Sequence, residues 1–358
     1  MNGSDTGVEI AGRTIGPGQP SYVVAELSAN HGGSYERAAE LVRVAKAAGA
    51  DAVKLQTYTP DTLTLKDGGA RFRISAAGPW EGRDLYDLYS EAQMPWEWQP
   101  RLAALAAEIG LPLFSSAFDP TSVDFLERMG VPAYKVASFE LVDLPLIELI
   151  ARTGKPMILS TGMATEEEIA SAVAAARAGG ARSLVLLKCT SAYPAPAEEM
   201  NLRTIPYLAS RFGLPVGLSD HTDGHLVAAA AVVLGAVMVE KHLTLSRDLG
   251  GPDAGFSLEP DEFARLVTAV RTVERALGSA RCAPGPSDAK NRVFRRSLFV
   301  VADMRRGERF SPANLRSIRP ADGLAPRHLP QILGRRATRD LTRGTPLSWD
   351  LVENAESE

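Results

Sequence analysis

Two short segments place histidines where they could bind a cation. Residues 217–225 have the sequence GLSDHTDGH and residues 239–244 have the sequence VEKHLT, in a chain that contains only five histidines. His221 and His242 each follow a short apolar run, so neighbouring strands could bring the two imidazoles together. Two neutral rings could then bind one divalent cation and leave positions open for water or substrate. Because two protein ligands alone bind weakly, we expect substrate or water to complete the coordination shell.

Charged and hydroxyl side chains follow most of the other apolar runs. Lys54 and Lys135 lie among serines, and such a set suits a phosphate and a carboxylate because lysine acts as a compact positive charge. Glu26 ends the first run and is a candidate general base or orienting group. Any one of these residues alone is more commonly a solvated or structural side chain, and only their recurrence predicts a site. The full set is Glu26, Lys54, Gln56, Ser115, Ser116, Lys135, Ser138, Glu140, Ser160, Thr161, Lys188, Thr190, Ser219, Asp220, His221, Glu240, Lys241 and His242.

The elements that would position these residues alternate along the chain. Eight short runs rich in β-branched residues begin near positions 22, 51, 111, 132, 156, 183, 214 and 236, and Ala-rich amphipathic segments lie between them. Eight strand–helix repeats over roughly 250 residues are typical of a (β/α)8 barrel, the TIM-barrel fold. No GxGxxG follows the first run, which argues against an open dinucleotide-binding sheet. In a barrel, the polar residues would meet at the C-terminal ends of the strands, where active sites form.

One connection is much longer than the others. About forty residues separate Thr57 from Trp96, and they include FRISAAGPWEGRDLYDLY. Connections this long in compact domains usually form lids or binding loops. We expect this one to leave the C-terminal end of the second strand and to border the site.

The composition changes after residue 278. The segment SARCAPGPSDAKNR is polar and contains Pro and Gly, and the Arg-rich sequence after it predicts short strands joined by RGE and RGT turns. We therefore expect a catalytic barrel over residues 1–280, a linker over 281–292 and a small β-rich domain over 293–354.

Composition excludes several classes of partner. The net charge of −4, with both signs interspersed, gives no reason to expect nucleic acid. Two cysteines form neither a disulfide framework nor a CxxC metal site, which suits a reducing compartment. The first ten residues, MNGSDTGVEI, lack the features of a secretory signal, and no apolar run approaches the ~20 residues that span a bilayer. We expect a cytoplasmic globular protein without a membrane partner.

Several long motifs resemble the sialic acid (nonulosonic acid) synthases. They are AELSANHGGSYERAAELVRVAKAAGADAVKLQTY, AYKVASFE, ILSTGMAT, SAYPAP, GLSDHT, EKHLT and GGPDAGFSLEP. The C-terminal segments FRRSLFVVADMRRGERF, SIRPADGL and GRRATRDLTRGTPL are similar to the SAF (antifreeze-like) domain of that family, a β-clip fold. The resemblance covers the chain from about residue 20. YTPDTLTL, GPWEGRDLYDLYSEAQMPWEW and MNLRTIP are most similar to the pseudaminic acid synthase branch.

The resemblance implies a condensation of phosphoenolpyruvate with an N-acetylated amino sugar and water, with release of inorganic phosphate. In the pseudaminic acid branch the acceptor would be 2,4-diacetamido-2,4,6-trideoxy-L-altrose, and acceptors leading to N-acetylneuraminate or legionaminate are the alternatives. The implied metal ligands are His221 and His242, which would hold Mn²⁺ or Mg²⁺ and so polarise the aldehyde oxygen of the open-chain sugar.

Matching positions also give the implied substrate contacts. Glu26 is the implied catalytic carboxylate, and Glu140 and Asp253 would face the sugar and the metal-bound water. Arg319 matches an arginine that reaches the active site of a second subunit and binds the N-acyl group, which implies a domain-swapped homodimer. The implied contacts to phosphoenolpyruvate are Lys54, Ser116, Lys135, Ser138, Ser160 and Ser219, and those to the sugar include Gln56, Ser191 and Tyr193.

The chain departs from the family pattern at four positions. Lys188 stands where many relatives carry histidine, and Ser191 stands where some carry asparagine. Ala117 stands where proline is common, and His225 is an additional histidine. The first two departures bear on phosphate and sugar contacts at the sixth strand.

Two other functions are consistent with the same residues. One is a metal-dependent aldolase or another phosphoenolpyruvate-condensing enzyme on the same barrel, which release of phosphate with a non-phosphorylated amino sugar would distinguish. The other is a catalytically silent sugar-binding or SAF-driven interaction module. The charged strand ends argue against the silent module, and a turnover assay would separate the two.

Overall fold

A computed structural model describes residues 7–76 and 78–354 of the chain. The chain divides into two compact units between Gly278 and Ser279. Residues 1–6 lie outside the described residues. They belong to the range predicted for the catalytic barrel and to the N-terminal segment that was compared with a secretory signal. None of the described helices is both long and apolar enough to cross a membrane. The cytoplasmic location stays a prediction.

The first unit begins with a short hairpin that the sequence patterns did not predict. Strands β1 (Val8–Ile10) and β2 (Arg13–Ile15) pair antiparallel. The fully buried side chains of Ile10 and Ile15 belong to the same apolar cluster as Tyr22, at the start of the first barrel strand. The hairpin therefore closes the N-terminal end of the barrel interior, opposite the predicted site.

Eight parallel strands form the predicted barrel. They close in the order β10-β3-β4-β5-β6-β7-β8-β9, so the last strand pairs with the first, for example Val239 with Val23. This closed parallel arrangement confirms the (β/α)8 fold. The strands are β3 (Tyr22–Glu26), β4 (Ala52–Thr57), β5 (Leu113–Ala117), β6 (Tyr134–Val136), β7 (Met157–Ser160), β8 (Leu184–Cys189), β9 (Val216–Asp220) and β10 (Met238–His242).

Helices cover the outside of the barrel. They bury one apolar face against the outward side chains of the strands and begin at residues suited to capping, such as Asp119, whose carboxylate accepts from the backbone N–H of Ser122. Two of them end at glycines in the left-handed conformation, Gly130 (φ 69°) and Gly213 (φ 65°). The helices are α1 (Tyr35–Ala47), α2 (Pro60–Leu63), α3 (Leu85–Ala92), α4 (Gln99–Glu108), α5 (Pro120–Met129), α6 (Leu144–Ala151), α7 (Glu166–Ala178), α8 (Thr204–Phe212), α9 (Leu226–Val233) and α10 (Pro260–Leu277).

The long connection after β4 contains regular structure. Residues 58–95 include the short helices α2 and α3, and Gly82 donates its N–H to the Ile74 carbonyl between them. This segment leaves the C-terminal end of β4, as predicted from its place in the sequence.

The second unit has its own apolar core. Strands β11 (Ser297–Val300) and β12 (Leu315–Ile318) pair antiparallel, and short helices α11 (Pro286–Lys290) and α12 (Leu329–Ile332) accompany them. The second predicted strand segment, after residue 334, pairs only through single bridges such as Met304 with Leu341. Gly307 (φ 79°) and Gly344 (φ 92°) lie in the RGE and RGT turns, where a positive φ favours glycine. The predicted linker over 281–292 contains helix α11.

Candidate active site

A cavity of about 950 Å³ lies at the C-terminal ends of the barrel strands. Its lining contains every residue of the first unit for which the sequence predicted a catalytic, substrate-binding or metal-binding role: Glu26, Lys54, Gln56, Ser116, Lys135, Ser138, Glu140, Ser160, Ser191, Tyr193, Ser219, His221, His242 and Asp253. Arg319 belongs to the second unit, directly after β12, so its role toward a second subunit stays a prediction.

The alternation of side chains along each strand explains which residues reach the cavity. Successive residues of a strand point to opposite faces, so a residue two positions after an interior apolar one is also interior. The cavity residues follow this rule at almost every strand. The pairs are Val24 and Glu26, Ala52 and Lys54, Phe114 and Ser116, Ala133 and Lys135, Ile158 and Ser160, Leu187 and Cys189, and Met238 and Glu240.

The same rule removes two lysines from the site. Lys188 lies two positions after Leu186, and Lys241 lies two positions after Val239. Leu186 and Val239 both face the helix layer, so the two lysines point the same way. The Lys241 ammonium forms a fully buried ion pair with Asp220, with Nζ 2.9 Å from Oδ2. The Lys188 ammonium donates to its own strand end, 2.5 Å from the Cys189 carbonyl oxygen. Neither of them lines the cavity, so no phosphate or sugar contact through Lys188 is expected there.

Lys54 is held between two buried carboxylates. Its Nζ lies 2.5 Å from Glu26 Oε2 and 3.6 Å from Glu240 Oε1, and it donates to Ser116 Oγ at 3.1 Å. Burial raises the pKa of Glu26 despite the ammonium beside it. Burial also acts on Glu240, but Lys135 and Lys54 hold its pKa below the ordinary value. Lys54 therefore has its charge compensated within the protein.

Lys135 has no such ion pair in the described structure. It is 2% exposed, and among the described residues no carboxylate oxygen lies within 4.0 Å of its Nζ, which donates to the Val136 carbonyl at 3.1 Å. Burial lowers the pKa of this ammonium, because the charged form is desolvated. The hydroxyls of Ser160 and Ser191 are buried without a hydrogen-bond partner in the described structure. Lys135 and these hydroxyls together form a site prepared for an anion.

The two histidines lie next to each other at the ends of β9 and β10, on the side of the cavity floor away from Lys135. The ring centroids of His221 and His242 are 5.3 Å apart, with an interplanar angle of 61°. The carbonyl oxygen of Thr190 lies 2.9 Å from His221 Nδ1, which requires the proton on Nδ1, so the neutral form of this ring has its lone pair on Nε2. His242 Nδ1 is buried with no hydrogen-bond partner among the described residues. Burial, above all, holds the pKa of His242 well below its ordinary value, so this ring is neutral.

The geometry suits a divalent cation held by two protein ligands. A neutral imidazole with an orphaned buried nitrogen has the lone pair that a metal requires. Within the described ranges no group of three or more His, Cys, Asp or Glu residues could hold a metal ion alone. Substrate or water would therefore have to supply the other ligands, as the sequence led us to expect.

Three further polar groups complete the floor. Gln56 Nε2 donates to Glu26 Oε1 and to Ser28 Oγ, each at 3.0 Å. Ser28 Oγ donates to Asp253 Oδ2, which also accepts from the Ala29 N–H at 3.2 Å. Burial raises the pKa of Asp253. This chain of hydrogen bonds fixes the positions of both carboxylates.

Glu140 stands apart from this network. Its Oε2 is buried with no hydrogen-bond partner among the described residues, and burial raises its pKa to about 7. A carboxyl group with a pKa near neutrality is suited to proton transfer.

Aromatic side chains surround the histidines. The Tyr193 ring centroid lies 4.4 Å from that of His221, and the Phe256 centroid lies 5.0 Å from that of His242. Trp80, from the long segment, lies 5.2 Å from Tyr193 and donates its Nε1–H to the Pro252 carbonyl at 2.8 Å. These rings pack around the histidine side of the floor.

Sequence reasoning gave no role to three of these cavity residues. Glu240 was named only as a strand end, and Phe256 and Trp80 were not singled out. Period-two alternation from Met238 would have assigned Glu240 to the interior. Nothing local identifies Phe256 or Trp80, because their neighbours come from distant parts of the chain.

Known proteins resemble this chain over nearly its whole length. The NeuB family model matches residues 41–282, and the SAF domain model matches residues 295–353. Pseudaminic acid synthase of Campylobacter jejuni subsp. jejuni serotype O:23/36 (strain 81-176) is 45% identical over 91% of this chain and 95% of its own. Pseudaminic acid synthase of Helicobacter pylori is 43% identical over 94% of this chain and 99% of its own. The crystal structure of spore coat polysaccharide biosynthesis protein SpsE from Bacillus subtilis is similar to this structure, with a TM-score of 0.66 and 33% sequence identity. The match covers 98% of this chain and 100% of the SpsE chain.

Proposed function

The chain belongs to the NeuB family, and we propose that it condenses phosphoenolpyruvate with an N-acetylated amino sugar to form a nonulosonic acid of the pseudaminic type. The observation that carries the proposal is one cavity that holds both the buried Lys135 ammonium, which has no ion-pair partner among the described residues, and the adjacent imidazoles of His221 and His242. An anion and a carbonyl oxygen would thus be held side by side, which is what this condensation needs.

Phosphoenolpyruvate would bind at the lysine side of the floor. Its phosphate and carboxylate would give Lys135 the ion-pair partner that it lacks, and Ser138, Ser160 and Ser219 would supply hydroxyl donors around it. Binding there would desolvate the substrate and fix its C3 toward the histidines. Such positioning contributes to catalysis mainly through orientation and charge compensation.

The histidine side would hold the acceptor's aldehyde. His221 and His242 would bind the divalent cation, Mn²⁺ or Mg²⁺, through the two nitrogens described above. When bound, the cation supplies Lewis-acid polarisation of the carbonyl oxygen. Tyr193 and Phe256 pack against the imidazoles and keep the rings in place.

The reaction forms one carbon–carbon bond and one carbon–oxygen bond, and it breaks the carbon–oxygen bond to phosphate. C3 of phosphoenolpyruvate attacks C1 of the open-chain sugar, and the carbonyl oxygen takes up a proton. Water then adds to C2 and loses one proton to a carboxylate. The bond between C2 and the phosphate oxygen breaks with its electron pair leaving on phosphate, and the new C2 hydroxyl loses its proton to become the carbonyl. Glu26, Glu140 and Asp253 are the carboxylates positioned to move these protons. A positioned group of this kind contributes about 10²–10⁴ in rate.

The pseudaminic type of product rests on the similarity to named relatives. Two pseudaminic acid synthases are 45% and 43% identical to this chain over more than nine-tenths of its length. We propose 2,4-diacetamido-2,4,6-trideoxy-L-altrose as the acceptor. Its two acetamido groups and its C6 methyl make it more apolar than a mannosamine-type acceptor.

A homodimer that exchanges its second units is part of the proposal. Residues 279–358 contain 15 basic and 9 acidic residues, a net charge of +6, whereas residues 1–278 contain 24 basic and 34 acidic residues, a net charge of −10. Opposite net charges favour association of the basic unit of one copy with the acidic barrel unit of another. Arg319 would then supply a guanidinium to the partner's acceptor.

A turnover assay tests the proposed function. The purified protein is incubated with phosphoenolpyruvate, Mn²⁺ and a panel of hexosamines, and the products are identified by mass spectrometry together with phosphate release. We expect a nonulosonic acid and one phosphate per product from the diacetamido-trideoxy-altrose. Phosphate release with another acceptor would change the assigned sugar, and no turnover with any acceptor would contradict the function.

Alanine variants test the histidine pair. In His221→Ala and His242→Ala, loss of a cation ligand should lower turnover by at least about a hundredfold, since a Lewis acid contributes several kcal/mol to such a step. Calorimetric titration with Mn²⁺ should show weaker binding in both variants. Activity that persists in metal-free buffer would exclude the metal's role.

A further inference from the structure

Helix α3 presents an apolar face to the cavity. Leu85, Leu88, Tyr89 and Ala92 all line it, and their spacing of i, i+3, i+4 and i+7 places them on one side of the helix. The opposite side, which includes Asp87, Ser90 and Glu91, is exposed. An apolar helix face usually packs against a hydrophobic core, whereas this one borders an open cavity.

Other apolar side chains extend this surface. Leu63 and Ile74, from the same long segment, also line the cavity. Tyr58 links the helix to the barrel, because its ring centroid lies 5.8 Å from that of Tyr89 and 5.2 Å from that of Phe118. We call Leu63, Ile74, Leu85, Leu88 and Tyr89 the α3 wall.

The α3 wall lies at a predictable position along the acceptor. The charged groups of the cavity lie at the strand ends, and residues 58–95 leave the end of β4 and continue beyond them. The acceptor's C1 must meet phosphoenolpyruvate at that floor, between Lys135 and the histidines. C6 is the carbon farthest from C1 along an open-chain hexose, so it extends from the floor toward the residues of the long segment.

We propose that the α3 wall is a subsite for the apolar C6 methyl of the acceptor, which makes the enzyme select 6-deoxy amino sugars over their 6-hydroxylated counterparts. The inference rests on the proposed function. A hydroxyl at C6 would lose water against these side chains without gaining a hydrogen-bond partner. An apolar pocket discriminates against an added hydroxyl only moderately, so we expect a preference of about 10- to 200-fold.

Variants of the wall test this subsite. Leu85→Asn introduces an amide that pairs with a hydroxyl, at a half-buried position that tolerates a polar group. Ile74→Asn is the second variant, in case the first does not fold. Leu65→Asn is the matched control, because Leu65 belongs to the same segment, is 63% exposed and is not among the cavity residues of the described structure.

Two measurements are made with a pair of diacetamido acceptors that differ only in a methyl or a hydroxymethyl group at C6. Phosphate release gives the ratio of kcat/KM values, and calorimetry gives the ratio of binding constants. We expect both ratios to fall at least about fivefold in Leu85→Asn and Ile74→Asn, and to stay at the wild-type value in Leu65→Asn. A wild-type binding ratio near one, or a ratio unchanged in both wall variants, would overturn the subsite.

The two measurements separate the subsite from the proposed function. If neither acceptor releases phosphate, the proposed acceptor is wrong, and the binding ratios still decide whether the wall recognises the methyl group. If phosphate is released while the ratios do not respond to the wall variants, the synthase activity stands and the subsite is wrong.

Discussion

Lys54 and Lys135 carry the same charge in the same barrel interior, yet they have different surroundings. Lys54 has Glu26 and Glu240 as ion-pair partners, at 2.5 and 3.6 Å. Lys135 has no carboxylate within that range in the described structure. A buried ion pair is costly to break on one side, whereas a buried charge without a partner costs stability by itself. The first lysine therefore maintains the floor, and the second is available to substrate.

Substitution of each lysine by methionine should separate these roles. In Lys54→Met two buried carboxylates lose their partner, and the free energy of unfolding should fall by about 3–5 kcal/mol. In Lys135→Met the free energy of unfolding should be unchanged or higher, while kcat/KM for phosphoenolpyruvate should fall about 10- to 100-fold, as for the loss of a charge-assisted hydrogen bond. Urea unfolding and steady-state kinetics measure both effects. Equal destabilisation of the two variants would contradict this division.

Glu140 should give the reaction a dependence on pH near neutrality. Burial raises its pKa to about 7, so the carboxyl is protonated below that pH and ionised above it. If ionised Glu140 accepts a proton, kcat/KM should decline as the pH falls through about 7. Glu140→Gln should lower the rate by about 10²–10⁴ and remove this part of the pH profile. Glu148→Gln, at a carboxyl that is not among the cavity residues, should retain it. An inflection that persists in Glu140→Gln belongs to another group.

At the scale of elements, the segment 58–95 determines the upper part of the cavity. Its length predicted a binding loop, and its helices α2 and α3 give that loop a fixed apolar wall. Trp80 ties the segment to the loop after β10 through a hydrogen bond to Pro252 and packing on Tyr193 and Phe256. Trp80 thus connects the segment that forms the α3 wall with the histidine side of the floor.

Removal of this tie should loosen the segment without affecting the anion site. In Trp80→Ala we expect KM for the acceptor to rise about tenfold, with KM for phosphoenolpyruvate unchanged, because the indole packs on Tyr193 and Phe256, the rings that contact the two histidines. Limited proteolysis should cleave within residues 58–95 sooner than in the wild type. Trp80→Phe preserves ring packing but lacks the N–H donor, so its effect should be smaller. Equal increases in both KM values would mean that the whole floor has moved.

At the scale of the whole molecule, the chain combines an acidic barrel unit with a basic C-terminal unit. The family match confirms the resemblance to the sialic acid synthases that the motifs indicated, and the SAF domain match covers residues 295–353. Arg319 is the residue that would connect the two units of different copies. Its action in a second subunit is a prediction about assembly rather than about either unit alone.

Complementation between two inactive variants tests that prediction. Lys135→Ala impairs the active site of the barrel unit but keeps Arg319. Arg319→Ala keeps the barrel residues but lacks the guanidinium. When the two variants are co-expressed in equal amounts, half of the dimers should contain one copy of each. Each mixed dimer has one intact site if Arg319 acts on the partner subunit. We expect about a quarter of wild-type activity. Activity no greater than that of the separate variants would show that Arg319 acts within its own chain or not at all.

The local sequence was sufficient to predict the barrel and much of the cavity's composition. Periodic apolar runs identify eight strands, and period-two alternation places residues such as Glu26, Ser160 and Glu240 in the interior, since both depend only on neighbours along the chain. The same rule would have shown that Lys188 points away from the cavity. The hairpin β1–β2 was missed because its strands are only three residues long.

Only the tertiary structure decided how the interior residues are partnered. Ser28 meets Asp253 across 225 positions of sequence, and Lys54 meets Glu240 because the barrel closes β10 onto β3. The proton on His221 Nδ1 depends on the carbonyl of Thr190, and the surroundings of α3's apolar face depend on the cavity that it borders. Charge compensation and burial act through space, so they depend on distances that local sequence patterns do not contain.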